Sequence, residues 1–162
     1  MSDRLPRIVG SMDEEHAKWR TLVADLGEFE STRRQRERWS PVDTLIHVTA
    51  WKDNALRIAR SQAEAGASIP DASVGSAPIL GLEVDDFNAE TLRTHEGWTL
   101  ERALAWSDEV HRDLLDAIRR LPADRLIVPE GPHGIVGWLL LPAIEHPPEH
   151  RLRLERQLGY TP

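Results

Sequence analysis

Apolar residues recur every three or four positions through several long segments of this chain, and this helical period constrains its fold more than any other feature. The most regular stripe lies in the third long segment and comprises Leu100, Ala103, Leu104, Val110, Leu114, Ile118 and Leu121. Few runs show the alternation of apolar and polar residues that is typical of strands. The pattern therefore predicts an all-α protein.

Capping residues and prolines mark where the first two long helices begin. Ser11 and Glu14 have the spacing of a capping box, which predicts a first helix over about residues 12–30. Ser40 has the side chain of an N-cap, and Pro41 follows it at the position that favours proline. The apolar stripe after Pro41 predicts a second helix that continues to about residue 65.

Two further long helices are predicted in the second half of the chain. Thr99 is placed to cap the helix that carries the most regular stripe, and Pro122 ends it. The last helix is expected over about residues 135–158, where its prolines bend or break it. A short helix over about residues 85–95 precedes the third long helix. Four long helices around one core predict a four-helix bundle, as a single domain over residues 1–162.

Two segments rich in glycine and proline interrupt this helical pattern, at residues 66–82 and 123–134. Loops as long as the first one are uncommon inside compact domains and are often functional. We therefore expect residues 66–82 to cover or shape a site.

The composition excludes several classes of function. The chain has no cysteine, which rules out disulfides, thiolate metal sites and a cysteine nucleophile. A net charge of −7 argues against general affinity for nucleic acid or anionic membranes. No segment has the apolar length of a transmembrane helix, and the first residues lack the core of a signal peptide. These features predict a soluble cytoplasmic protein.

Three histidines are the strongest candidates for a site. His146 and His150 have the spacing that puts two imidazoles one turn apart on a helix, and His47 lies in the second predicted helix. Three imidazoles from two facing helices could bind a divalent metal and leave a position open, as catalytic sites do. His47 could equally be a core histidine that makes a single hydrogen bond.

Pro147 and Pro148 decide whether His146 and His150 can face inward together. An interior proline costs about 3 kcal/mol and bends or breaks a helix. If the helix instead restarts at Pro147, the two imidazoles can still converge. The alternative is a broken helix that carries two surface histidines.

Other polar residues have simpler interpretations. His111 is expected to be a buried, hydrogen-bonded histidine, with a role beside a metal ligand as the alternative, and His16 to pack at the edge of the core. His95 and His133 are expected to be solvated.

Glu145 and Glu149 are either exposed glutamates or partners that orient a ligand imidazole. Two further interpretations stay open: Trp51 is a core aromatic or a pocket wall, and the basic cluster of Arg33, Arg34, Arg36 and Arg38 is a solvated connector or an anion site.

Three pieces of the sequence resemble the DinB/YfiT-like superfamily of four-helix bundles: WSPVDTLIHVTAW, VDDFNAETL and HPPEHRLRLERQL. The second piece looks closest to the DfsB/ClbS-like branch. The resemblance spans about residues 12–158 in the order of the elements. It implies a divalent metal, often nickel or zinc, held by His47, His146 and His150.

The resemblance also implies classes of function. The superfamily includes metal-dependent hydrolases and thiol-dependent S-transferases, so we expect an enzyme that acts on a small molecule, with a low-molecular-weight thiol as one co-substrate. The DfsB/ClbS-like branch implies the alternative of a metal-free binding or self-protection protein for a reactive small molecule. Resemblance further implies a homodimer. A purely structural bundle is the third hypothesis.

Overall fold

The fold is all-α, as the apolar period predicts. The computed structural model describes residues 4–34, 39–65, 76–77, 82–121 and 145–160. The helices of these residues are α1 (Arg4–Ala24), α2 (Glu28–Thr32), α3 (Pro41–Ala65), α4 (Val84–Thr94), α5 (Leu100–Arg120) and α6 (His146–Leu158). One antiparallel pair of two-residue strands, Ser76–Ala77 and Leu82–Glu83, precedes α4. The predicted short helix before the third long helix is confirmed as α4.

The predicted capping box at Ser11 and Glu14 is wrong. Helix α1 runs from Arg4 through Ser11 to Ala24, so Ser11 lies in the helix interior. Ile8 and Val9 pack against the core cluster that contains Met12. Their partial burial extends the apolar face of α1 towards the N-terminus, and it outweighs the preference of a serine for a cap.

The predicted first helix also ends earlier than expected. Helix α1 stops at Ala24, and Gly27 is the N-cap of the separate helix α2. Phe29, which continues the apolar spacing in the sequence, lies on α2 with 73% of its surface exposed. The sequence pattern therefore joins two helices that the structure separates.

The caps predicted for the second and third long helices are confirmed. The Ser40 hydroxyl accepts a hydrogen bond from the Asp43 amide at 3.0 Å, and the Asp43 carboxylate accepts one from the Ser40 amide at 3.0 Å. This reciprocal pair is a capping box. At the start of α5, the Thr99 hydroxyl accepts from the Arg102 amide at 3.2 Å. Pro41 and Leu100 therefore begin their helices as the sequence predicts.

Helix α3 lies at the centre of the fold and packs against α2, α4, α5 and α6. The α3 residues from Val42 to Ala59 are almost all buried. One apolar cluster joins α1, α3 and α5 and contains Met12, Ala55, Leu56 and Leu114. A second cluster also includes α6 and contains Trp19, Leu45, Ile46 and Leu154. Within the residues that the structure describes, no helix is long and apolar enough to cross a membrane.

Candidate metal centre

His47 lies in the buried first half of α3, only 3% exposed. The capping box at Ser40 fixes the start of this helix two turns before His47. His47 therefore belongs to a rigid element in the interior of the bundle, which suits a residue that has to keep its position.

The two prolines do not break α6, because they lie in its first turn. Helix α6 begins at His146, so Pro147 and Pro148 occupy its second and third positions. The first amides of an α-helix have no partner within the helix, so prolines there remove no helical hydrogen bond. His146 and His150 therefore lie on one regular helix, one turn apart, and their ring centroids are 4.4 Å from each other.

The structure brings all three predicted histidines together. One ring nitrogen from each of His47, His146 and His150 lies within 4.8 Å of the other two. The His47 Nε2 and His146 Nε2 atoms are 3.1 Å apart. The ring centroid of His47 is 4.9 Å from that of His146 and 4.7 Å from that of His150. We call these residues the histidine triad.

Two tryptophans lie against the triad. The ring of Trp39 is 4.6 Å from that of His47 and stacks at 6.3 Å on that of His150. The ring of Trp51 lies edge-on at 6.1 Å from that of His146. Trp51 is therefore both a core aromatic and a wall of the site, which combines the two interpretations of its sequence position.

The surroundings keep the triad neutral. Burial, followed by the neighbouring imidazoles, lowers the pKa of His47 to about 3. Burial and His150 lower the pKa of His146 to about 4. Burial also lowers the pKa of His150, and the positive charge of Arg153 adds to this effect. Neutral imidazole is the form that binds metal ions, so the triad needs no deprotonation near pH 7.

The donor set fits a divalent metal ion. Nitrogen ligands that lie 2.0–2.1 Å from a tetrahedral zinc ion are about 3.3 Å from each other, close to the Nε2 separation of His47 and His146. Three imidazoles without thiolate or carboxylate are a borderline donor set that suits zinc, nickel, copper and iron. A three-histidine cluster of this geometry could therefore bind a metal ion.

The outer ring nitrogens of the triad differ from the usual pattern of metal-binding histidines. The buried Nδ1 atoms of His47 and His146 have no partner within strict hydrogen-bond geometry, and the Asn88 side chain, which lies close enough to His47 to raise its pKa, is the nearest candidate for His47. Metal-binding histidines usually donate this N–H to a carboxylate or a carbonyl group. Glu145 and Glu149 are exposed and form no hydrogen bond to these atoms, so the interpretation as exposed glutamates fits the structure.

Long-range contacts hold α6 against the rest of the bundle. The Trp19 indole N–H donates to the Pro147 carbonyl at 3.1 Å. The Arg151 guanidinium donates from Nε to the Glu15 carboxylate at 2.7 Å, in a pair that is almost fully buried. Sequence analysis missed these residues. The only sequence signal is that Glu15 and Trp19 lie one turn apart on α1, with Trp19 in the apolar stripe.

The remaining predicted residues lie outside the triad. His111 is buried and its Nε2 pairs with Asp13 at 2.8 Å, and buried His16 pairs with Asp108 at 2.9 Å, which confirms both predictions. The prediction of a solvated His95 is wrong, because its ring stacks on that of Trp106 at 4.7 Å.

The basic cluster behaves partly as a connector. Arg34 pairs with Asp43, and Arg33 lies over the ring of Phe29. Several features that were predicted from the sequence lie outside the described residues. They are Arg36, Arg38, His133, the loop at 123–134, residues 135–144 and most of the loop at 66–82.

A sequence comparison identifies the family of this chain, and solved structures share its fold. The sequence model of the DinB superfamily matches residues 2–153. A crystal structure of a Streptococcus pneumoniae protein from the Northeast Structural Genomics Consortium is similar, with a TM-score of 0.76, 12% identity, and coverage of 98% of this chain and 92% of that one. A structure described as "Sibling Lethal Factor Precursor - DfsB" has a TM-score of 0.78, 10% identity, and coverage of 96% and 95% respectively. A search of curated proteins found no match. The chain belongs to the DinB superfamily.

Proposed function

We propose that this protein is a metal-dependent enzyme whose histidine triad, His47, His146 and His150, holds a divalent ion, with zinc and nickel as the first candidates. The observation that carries the proposal is the convergence of three ring nitrogens within 4.8 Å of one another. Burial keeps the imidazoles neutral, which supports ligation. Superfamily membership adds support, because it is independent of this geometry.

The reaction that we propose is hydrolysis or thiol transfer on a small molecule. A divalent ion in such a site supplies Lewis acidity and a lowered pKa for a water or thiol that reaches it. The chain's own residues supply the binding surface: the rings of Trp39 and Trp51 provide apolar walls for a substrate and displace water around the imidazoles. The cysteine-free chain offers no thiol of its own, so a thiol nucleophile would be a low-molecular-weight co-substrate.

Metal content tests the proposal directly. We expect elemental analysis of purified protein, loaded with zinc or nickel and then desalted, to show one ion for each chain. The His47→Ala variant should lose that ion. His95→Ala is the matched control, because His95 lies at the end of α4 beside Trp98 and Trp106, outside the triad. Wild-type protein that takes up neither metal, or a His47→Ala variant that keeps the ion, would contradict the proposal.

A metal-free binding or self-protection protein is the second candidate. The observation that favours it is the 3.1 Å separation of the His47 and His146 Nε2 atoms, because one protonated nitrogen can donate to the other without any metal. In that state the triad and its tryptophans would form a pocket wall for a reactive small molecule. A chelator distinguishes the two functions: removal of metal abolishes the first activity and leaves the second unchanged.

A further inference from the structure

Asn88 connects α4 to the face of α3 that carries His47 of the histidine triad. The Trp51 indole N–H donates to the Asn88 Oδ1 atom at 3.0 Å, in a contact that is partly buried. His47 and Trp51 lie four positions apart on α3, so they share one face of that helix. This hydrogen bond therefore holds the Asn88 carboxamide beside the turn of α3 that runs from His47 to Trp51.

The donor on Trp51 determines which end of the Asn88 carboxamide faces α3. An indole nitrogen only donates hydrogen bonds, so its partner has to be the carbonyl oxygen and not the NH₂ group. A carbonyl oxygen has two lone pairs, so Oδ1 can accept from a second donor as well. The carboxamide thus offers an acceptor, and not a donor, to this face of α3.

The Nδ1 atom of His47 is a buried ring nitrogen without a well-formed hydrogen bond. Burial, followed by the neighbouring imidazoles, lowers the pKa of His47, whereas hydrogen bonding to the Asn88 side chain raises it. An acceptor has this raising effect, because it stabilises the protonated form of the ring. The sign of the effect therefore agrees with the orientation that the Trp51 indole requires: the oxygen of Asn88 faces His47.

We propose that Asn88 is a positioning residue of the histidine triad, whose Oδ1 atom accepts from both the Trp51 indole and the His47 Nδ1–H. The ring nitrogen of a neutral imidazole that donates a hydrogen bond keeps the proton, and the other nitrogen keeps its lone pair. His47 is then held with a bare Nε2 atom, which faces the His146 Nε2 atom 3.1 Å away. The tautomer depends on hydrogen bonding alone, and its effect on metal binding rests on the proposed function.

Nuclear magnetic resonance of isotope-labelled, metal-free protein near neutral pH measures the tautomer directly. A protonated and a bare ring nitrogen have different chemical shifts, and the His47→Gln variant identifies the His47 signals by their loss. We expect wild-type His47 to carry its proton on Nδ1. A proton on the Nε2 atom of His47 would overturn the proposal.

Matched variants separate hydrogen bonding from packing. Asn88→Leu keeps a similar volume without the acceptor, so His47 should lose its preference for the Nδ1–H tautomer, and zinc affinity should fall about tenfold. Asn88→Asp keeps an acceptor oxygen, so it should keep both the tautomer and the zinc affinity. Phe87→Leu is the control, because Phe87 packs edge-on against Trp51 at 4.8 Å beside Asn88 but accepts no N–H from it. This variant should keep the tautomer.

An unchanged tautomer in Asn88→Leu, or its loss in Asn88→Asp, would also contradict the role of Asn88. The outcomes for Asn88 and for the metal are distinguishable, because the tautomer is measured without metal. A protein that takes up no zinc, but whose His47 tautomer depends on Asn88, contradicts the proposed function alone. Zinc uptake by a protein whose His47 carries its proton on Nε2 before loading contradicts the role of Asn88 alone.

Discussion

The indole N–H of Trp19 donates a hydrogen bond to the carbonyl of Pro147, between the two histidines of α6. Both residues are buried, and 128 positions separate them in the chain. The bond ties α1 to the first turn of α6, where His146 and Pro147 are neighbours. Trp19 thus helps to place the imidazoles of α6 against His47 without touching them.

The first prediction concerns this bond. Trp19→Phe keeps an aromatic ring in the core but removes the donor, so the free energy of unfolding should fall by about 1–2 kcal/mol. Zinc affinity should fall as well, because α6 loses one of its attachments. Urea unfolding and competition with a zinc chelator measure the two effects. Trp98→Phe is the control, since Trp98 is half-buried near the start of α5 and should leave zinc affinity unchanged. Equal zinc affinities of wild-type protein and Trp19→Phe would contradict the role of this bond.

The second prediction concerns the pair between Glu15 and Arg151. Its side chains are 9% and 12% exposed, so replacement of one partner leaves the other charge poorly solvated. We expect Glu15→Gln to lower the free energy of unfolding by about 2 kcal/mol. This loss is smaller than for a buried pair with no other partner, because Arg151 also contacts Glu155. The matched control is Glu90→Gln, which breaks an exposed pair with Arg93 and should change little in the same urea titration. Similar losses in both variants would contradict the distinction.

The third prediction concerns pH. His16 and His111 stack with their ring centroids 4.0 Å apart. Burial, together with His111 and Lys52, lowers the pKa of His16 to about 4 from its ordinary value of 6.5. The unfolded chain therefore binds a proton at a higher pH than the folded chain does. The stability from neutral His16 is complete above pH 6.5 and is lost as the pH falls towards 4.

One pKa unit corresponds to about 1.4 kcal/mol, so the contribution of His16 to this loss is on the order of 3 kcal/mol. Thermal unfolding of metal-free protein between pH 7.5 and 4 would measure it. His16→Gln cannot titrate at this position, so its stability should depend less steeply on pH over this window. Parallel pH profiles for the variant and the wild type would show that His16 is not responsible.

The fourth prediction distinguishes the two serines that resemble N-caps. Ser40→Ala removes the side chain that accepts from the Asp43 amide, so the free energy of unfolding should fall by about 1 kcal/mol. Ser11→Ala should cause no loss, because Ser11 is exposed in the interior of α1 and alanine is the better helix former there. Chemical unfolding of both variants checks this. A larger loss in Ser11→Ala than in Ser40→Ala would contradict the assigned start of α1.

The sequence predicts correctly the roles of those residues whose interaction partners lie a few positions away in the chain. The caps at Ser40 and Thr99 depend on amides three positions further on, so a short stretch of sequence contains both partners. The apolar stripes predict the helices in the same way. The capping box at Ser11 fails because the burial of Ile8 and Val9, which only packing decides, extends α1 beyond it.

The sequence by itself determined the class of fold, the starts of α3, α4 and α5, and the three histidines that could form one site. Only the tertiary structure decided that these histidines meet. A proline costs about 3 kcal/mol inside a helix but costs no helical hydrogen bond in its first turn, so the effect of Pro147 and Pro148 depends on where α6 begins. The contacts that fix α6, from Trp19 to Pro147 and from Glu15 to Arg151, join residues 128 and 136 positions apart. Such pairs arise from packing across the bundle, and no local pattern in the chain encodes them.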